Sequence, residues 1–179
     1  MRRARARLTQ RWGEPLAKDL TSRKNVRLIG YDYSSAGCYF VTLCVKDKRE
    51  MLGDVVGDAP LRVPHCVLSD YGAFVDEVIC RIPNVYSHVC VDKYVIMPNH
   101  VHMIVHVTGG TRSGAPPTKA VVPQIVQSLK SMTTKQFGFS MWQRSYHDHI
   151  IRDDTEYQRI WQYIDENPSC WVEDDYYMK

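Results

Sequence analysis

Six cysteines are scattered through the 179 residues, at positions 38, 44, 66, 80, 90 and 170, and no two of them stand in a CxxC spacing. That lack argues against a zinc knuckle. Because most of the six sit inside apolar runs it also argues against a disulfide framework, so they read as reduced, buried thiols of a cytoplasmic protein. No uninterrupted apolar run approaches the roughly 20 residues that span a bilayer, and no membrane partner is expected. The N-terminal arginines are followed by no apolar stretch, so a secretory signal is not expected either. There is no internal repeat. With 44% hydrophobic and 24% charged residues the chain has the make-up of a soluble globular protein. Its length suits one domain with appendages, since domains usually run to about 100–150 residues.

What the chain does have is a lopsided charge. The net +3 conceals residues 1 to 27, which hold nine basic against two acidic residues, a net +7, and leave the other 152 residues at −4. A basic arm on a near-neutral body suits a polyanion, because each neutralised phosphate releases counterions. A solvated tail is the plainer alternative. If the partner is a nucleic acid, Arg2, Arg3, Arg5, Arg7 and Arg11 are its expected contacts, with Lys130, Arg144 and Arg152 from the body.

Periodicity supplies the element order. Residues 1 to 35 read as the arm, with Trp12 and Tyr31-Asp32-Tyr33 as docking points, and Tyr39–Val45, rich in β-branched and aromatic residues, as the first strand. Residues 46 to 66 are mostly turns around a short strand pair. Tyr71, Phe74, Val75, Val78, Ile79 and Ile82 follow a helical spacing, with Ser69 as N-cap and Pro83 as the stop. Val85 to Met97 and His100 to Val107 read as two strands joined at Pro98-Asn99, with Val101, Met103, Val105 and Val107 facing the helices. After a Gly/Pro/Ser-rich linker at 109 to 120, Pro123 opens a second helix. Trp142 to Ile151 reads as the last strand, and Asp154 to Asn167 as the last helix, ended by Pro168. The order β-α-β-β-α-β-α is that of an α+β, ferredoxin-like split βαβ fold. Its antiparallel sheet would carry two helices on one face, leaving the other face free for a site.

Two constellations stand out on that frame. His100 and His102, two apart on a strand, point to one face and can present two imidazoles to one metal ion. Alone, each is more commonly a structural histidine. A zinc hydrolase would need a third His, Cys or carboxylate, and none is evident within reach; His106 shares the face but lies about 13 Å further along the strand. On the last helix, Tyr163 and Asn167 fall about 40° apart on the border of the stripe made by Tyr157, Ile160, Trp161 and Ile164. A side chain there can be held by packing and still reach a substrate. Read singly, Tyr163 is a core-edge ring and Asn167 a helix cap.

Three separated segments, Tyr94–His102, Trp142–Arg152 and Tyr163–Pro168, taken in order, resemble the single-tyrosine HUH transposases. The early Gly30-Tyr31-Asp32-Tyr33 and Tyr39-Phe40-Val41-Thr42 resemble their subgroup of REP-associated tyrosine transposases, those linked to repetitive extragenic palindromes. The resemblance runs from about Arg27 to Pro168. It implies a basic arm at 1–35, a catalytic domain at 36–168 with its nucleophile on the C-terminal helix, and a tail at 169–179. It further implies that His100, His102 and Asn167 hold a divalent metal, Mg²⁺ or Mn²⁺, and that Tyr163 attacks single-stranded, hairpin-bearing DNA through a 5′-phosphotyrosine intermediate. The tail lacks the basic residue usual after Pro168. A monomer is expected ahead of a homodimer. Two other classes fit parts of the pattern: a non-catalytic single-stranded nucleic-acid-binding module of the same fold, and a small metallophosphatase that would not need Tyr163.

Overall fold

The computed structural model describes residues 36–57, 63–108 and 120–178. The arm, with Arg2, Arg3, Arg5, Arg7 and Arg11, and most of the linker lie outside the described residues. Strand β1 (Gly37–Cys44) runs through the middle of the molecule and is buried on both faces from Tyr39 onward. Its continuous run of aromatic and β-branched residues is what a strand covered on both sides requires. Beside it lie β5 (His100–Val107) and β6 (His147–Ile151), and β4 (Val89–Met97) pairs with the far side of β5, giving the order β4-β5-β1-β6 with every neighbour antiparallel. A separate hairpin of β2 (Gly53–Val56) and β3 (His65–Leu68) precedes helix α1 (Asp70–Val85). Helix α2 (Val121–Phe137) links β5 to β6, and helix α3 (Asp154–Glu166) follows β6. The expected split βαβ architecture is present.

The period-2 alternation of the strands divides the core in two. Tyr39, Val41 and Leu43 of β1 and Val101, Met103, Val105 and Val107 of β5 pack with Val75, Val78 and Ile79 of α1 and Ile125, Val126 and Leu129 of α2. On the other face Phe40, Ile104 and Ile151 meet Ile160 and Ile164 of α3. That second face is therefore not left open: α3 covers part of it, and the site lies at the end of this smaller core.

The first strand, the second helix and the last helix shift by one or two residues at an end (Gly37–Cys44, Val121–Phe137, Asp154–Glu166), and three larger differences from the periodicity reading have identifiable causes. Helix α1 does not stop at Pro83 but continues to Val85. Pro83 sits in the last turn, so its missing N–H removes a single bond, and Tyr86 N–H still closes on the Ile82 carbonyl at 2.9 Å. The strand after α1 begins at Val89, not Val85, because the turn between them is closed by Val89 N–H on the Tyr86 carbonyl. The last strand is shorter than Trp142–Ile151. Trp142 makes only an isolated bridge to Val45, and the Lys130 ammonium collects the carbonyls of Gln143, Arg144 and Ser145 at 2.8, 3.3 and 3.1 Å. Successive carbonyls of a strand point to opposite sides, so one ammonium gathering three in a row holds the backbone curled. Regular pairing resumes only at His147.

At its start, α1 is capped by Ser69, whose Oγ accepts from Gly72 N–H at 3.2 Å and donates to the Met51 carbonyl at 2.5 Å. Gly72 is required there, because a Cβ would run into the carbonyl of Leu52.

Candidate metal and nucleophile site

The turn at Pro98-Asn99 prepares His100. Asn99 donates its amide nitrogen to the carbonyls of Lys48 and Tyr176 at 3.2 and 2.8 Å, which turns its oxygen toward His100 Nδ1, 2.9 Å away. An amide oxygen only accepts, so Nδ1 carries the proton and Nε2 keeps a lone pair. His102 lies directly across from Thr42 in the β1–β5 register, and its Nδ1 pairs with Thr42 Oγ1 at 2.8 Å. Both rings are fully buried and stand edge to face with centroids 4.5 Å apart. Burial pulls the His100 imidazole down to about 3 and that of His102 well below its usual value, the neighbouring His100 adding to the effect on His102. Both rings are neutral at physiological pH, the form that ligates metals.

Helix α3 brings up the other partners. Packing of Ile160 and Ile164 against Phe40 and Ile104 fixes the helix on the sheet, and Tyr163 on its border reaches His102, its hydroxyl 3.2 Å from Nε2. Phe40 stacks on His102 and meets Tyr163 edge-on, so one ring locks both. Burial first, and then the nearby Asp174 and Tyr176, raise the Tyr163 phenol above its usual range against an opposing effect of Asn167, so in this state it keeps its proton. Asn167 follows the helix as the first residue of a 3₁₀ turn, Asn167–Glu173. It is 2% exposed and donates Nδ2 to Asp174 Oδ2 at 3.1 Å. Asn167 Oδ1 and His100 Nε2, both buried acceptors, have no hydrogen-bond donor among the described residues. Leaving a buried lone pair unmet costs about 1–3 kcal/mol, and two such acceptors side by side suit a cation or a water that donates to both. Of the predicted ligands, His100 and Asn167 thus offer free lone pairs that a metal ion could take, and His102 would join them by giving up its contact with Tyr163.

The sequence reading missed Asp174. It found no third His, Cys or carboxylate in reach, whereas His100, His102 and Asp174 present ligand atoms within 4.8 Å of one another. Burial raises the Asp174 carboxyl, while Tyr176 N–H and Asn167 pull the other way. The only sequence signal was an acidic run, Glu173-Asp174-Asp175, four residues beyond the Tyr163–Pro168 motif. Tyr176 was missed as a part of the site as well. Its ring lies on His100 at 4.5 Å between centroids, its segment is tied down by Asn99 Nδ2 to its own carbonyl and by Lys48 Nζ to the Asp175 carbonyl at 2.7 Å, and Trp171 flanks the same histidine at 5.9 Å. Trp171, Asp174 and Tyr176, from the segment expected as a tail, therefore cover the site.

Other sequence candidates lie elsewhere. Lys130, expected as a DNA contact, commits its ammonium to the three carbonyls before β6, a correction that makes it an anchor for that loop. Arg144 and Arg152 are exposed. His106 does not join His100 and His102 but faces Asp92, with Nδ1 3.5 Å from Oδ2.

No family model matches the chain. An uncharacterized protein of Haemophilus influenzae Rd is 32% identical over 174 residues, covering 87% of this chain and 93% of that protein. Among solved structures, a REP-associated tyrosine transposase bound to a REP hairpin superposes with a TM-score of 0.57 and 19% identity, over 78% of this chain and 70% of that one. No helix among the described residues is long and apolar enough to cross a membrane. The chain belongs to one family with the Haemophilus influenzae protein, and its α+β fold is that of a REP-associated tyrosine transposase.

Proposed function

We propose that the protein cleaves and rejoins single-stranded DNA carrying a hairpin, with Tyr163 as nucleophile and His100, His102 and Asn167 as the metal-holding residues, joined by Asp174. The observation that carries this reading is the convergence of the Tyr163 hydroxyl, 3.2 Å from His102 Nε2, with two buried acceptors that lack a donor, His100 Nε2 and Asn167 Oδ1. A non-catalytic binding module has no use for that convergence, and a phosphatase has none for Tyr163. The likeness in fold to a transposase bound to a REP hairpin supports a hairpin as the DNA partner. Two imidazoles, an amide oxygen and a carboxylate would hold a divalent ion, Mn²⁺ or Mg²⁺ by the family resemblance, which when bound would polarise the scissile phosphate.

The chain's own residues do the rest. The Tyr163 oxygen bonds to phosphorus as the bond from phosphorus to the 3′ oxygen breaks. The phenol gives up its proton, and the departing strand leaves as a free 3′-OH. The downstream strand stays attached through a 5′-phosphotyrosine. One phosphodiester replaces another, so no ATP is needed to rejoin, and the phenol, with an ordinary pKa near 10, leaves more readily than a serine hydroxyl would. In this structure His102 Nε2 faces the Tyr163 hydroxyl; with an ion bound that lone pair would go to the metal, Nδ1 staying on Thr42 and Phe40 still holding both rings, so the phenol would be released beside the ion. The Tyr176 segment must lift for a phosphate to enter, because His100 and His102 are 0% and 1% exposed beneath it. Contacts from the arm and from Arg144 and Arg152 to the DNA backbone complete the proposal.

The test is incubation of the full chain with end-labelled single-stranded hairpin oligonucleotides in Mn²⁺, Mg²⁺ or excess chelator. Cleavage that needs the metal is expected. Tight hairpin binding with no cleavage in either metal would favour the non-catalytic module instead.

A further inference from the structure

We infer that Cys38, Asp92 and His106 form a second metal site, separate from the first and suited to a borderline-soft transition ion such as Zn²⁺. Cys38 and His106 are directly opposite partners in the β1–β5 ladder, so both side chains stand on the α3 face of the sheet. Asp92 reaches them through an irregularity in β4. The pairing with β5 shifts between Val91, opposite Val105, and Lys93, opposite Ile104, and Asp92 is the extra residue. A bulge of this kind re-aims a side chain. Lys93, on the same face, lies over the Trp161 ring and pairs with Asp165, so the bulge puts two consecutive β4 side chains under α3.

The ligand atoms of Cys38, Asp92 and His106 lie within 4.8 Å of one another. Tetrahedral zinc bonds of roughly 2.0–2.3 Å would require them to close by about 1 Å, which side-chain rotation supplies. Asp92 is already oriented, because Tyr157 of α3 donates its hydroxyl to Oδ2 at 3.0 Å, and the same oxygen lies 3.5 Å from His106 Nδ1. A hydroxyl donating to a carboxylate ligand in this way fixes its orientation. Each of the three is only partly buried, so an ion can enter from solvent and a water can take the fourth position. Burial, and then the Asp92 carboxylate, raise the Cys38 thiol, which would release its proton to solvent on binding the ion. A sulfur donor favours Zn²⁺ over Mg²⁺ or Mn²⁺ at this site, and the thiolate band distinguishes it from the first site, which has no sulfur ligand. Cys90 flanks His106 on the other side, but β5 lies between it and Cys38, two inter-strand spacings or roughly 10 Å, which is too far for a disulfide. The bound ion would tie β1, β4 and β5 together beneath Tyr157, on the helix that carries Tyr163.

The test is titration of the full chain with Co²⁺ as a spectroscopic stand-in for Zn²⁺, followed by Zn²⁺ equilibrium dialysis. A thiolate-to-cobalt charge-transfer band saturating at one equivalent is expected. It should disappear in Cys38→Ser and persist in Cys90→Ser and Cys44→Ser. Cys38→Ser and His106→Gln should each weaken Zn²⁺ binding at this site at least about 100-fold while leaving the far-ultraviolet circular dichroism unchanged. Absence of the band in the wild-type chain, or its survival in Cys38→Ser, would overturn the assignment. This outcome is independent of DNA cleavage.

Discussion

The roof over the two histidines can be loosened without substituting a metal-holding residue. Tyr176 covers His100 with its ring at 4.5 Å, and its segment is tethered by Asn99 to the Tyr176 carbonyl and by Lys48 to the Asp175 carbonyl. A ring contact of this type contributes about 0.5–1.5 kcal/mol beyond the burial of its apolar area. Truncation to alanine should therefore weaken the closed state by about 2 kcal/mol or somewhat more, raising the open population roughly 30-fold, since each 1.4 kcal/mol is tenfold. Lys48→Met removes one charge-assisted bond worth about 1 kcal/mol without opening a hole above His100, and should raise the open population about fivefold. Diethyl pyrocarbonate modification of the imidazoles, followed residue by residue by mass spectrometry, reports that population directly. Opening is fast relative to chemistry when the rate scales with reagent concentration. The expected order is Tyr176→Ala, then Lys48→Met, then wild type, with His65, already exposed, as the unchanged reference. Equal rates at His100 in all three proteins would refute the view that this segment is a roof that has to lift.

His100→Ala and His102→Ala should each abolish metal-dependent cleavage, whereas Asn167→Ala should retain weak cleavage that needs more Mn²⁺, because an amide oxygen is the weakest of the three donors; metal titrations of the cleavage rate check both. Trp142→Phe removes the Nε1 bond to Thr133 Oγ1, 2.8 Å and fully buried, and should cost about 1–2 kcal/mol in urea unfolding with no change in cleavage at permissive temperature. Gly72→Ala drives a methyl into the Leu52 carbonyl and should cost about 3 kcal/mol or prevent folding, as read by the urea midpoint. Deleting residues 1 to 27, with their net +7, should weaken hairpin binding and flatten its salt dependence while leaving the circular dichroism of the remainder intact; an unchanged salt slope would make the arm a solvated tail.

The parts of the fold that strand and helix periods determine were legible in the sequence. The alternation in β5 placed Val101, Met103, Val105 and Val107 toward the helices and the two histidines on the opposite face, as the structure has them. The border position of Tyr163 on α3 followed from the helical stripe, and it is where the hydroxyl meets His102. What escaped depends on contacts between distant residues. Asp174 reaches the histidines only because a 3₁₀ turn redirects the chain after Pro168 and because Lys48, 127 residues before Asp175, and Asn99, 77 before Tyr176, hold the segment down. No local pattern encodes such tethers. Lys130 shows the same limit from the other side: its charge was visible, but the three carbonyls that occupy it are set by the curled path before β6. The bulge at Asp92 likewise leaves no mark on a strand pattern that already alternates imperfectly.

The central claim is that the Tyr163 oxygen becomes covalently bound to DNA. A single-stranded hairpin substrate whose upstream fragment, ending in the free 3′-OH, diffuses away would trap the 5′-phosphotyrosine, and peptide mapping by mass spectrometry would locate it. The account predicts one adduct, on Tyr163, formed only with a divalent metal. The Tyr163→Phe protein should show none, although it keeps the ring that Phe40 holds and binds the hairpin within a few-fold of wild type. An adduct in Tyr163→Phe, or one that maps to Tyr146, Tyr157, Tyr176 or Tyr177 in the wild-type chain, would contradict it.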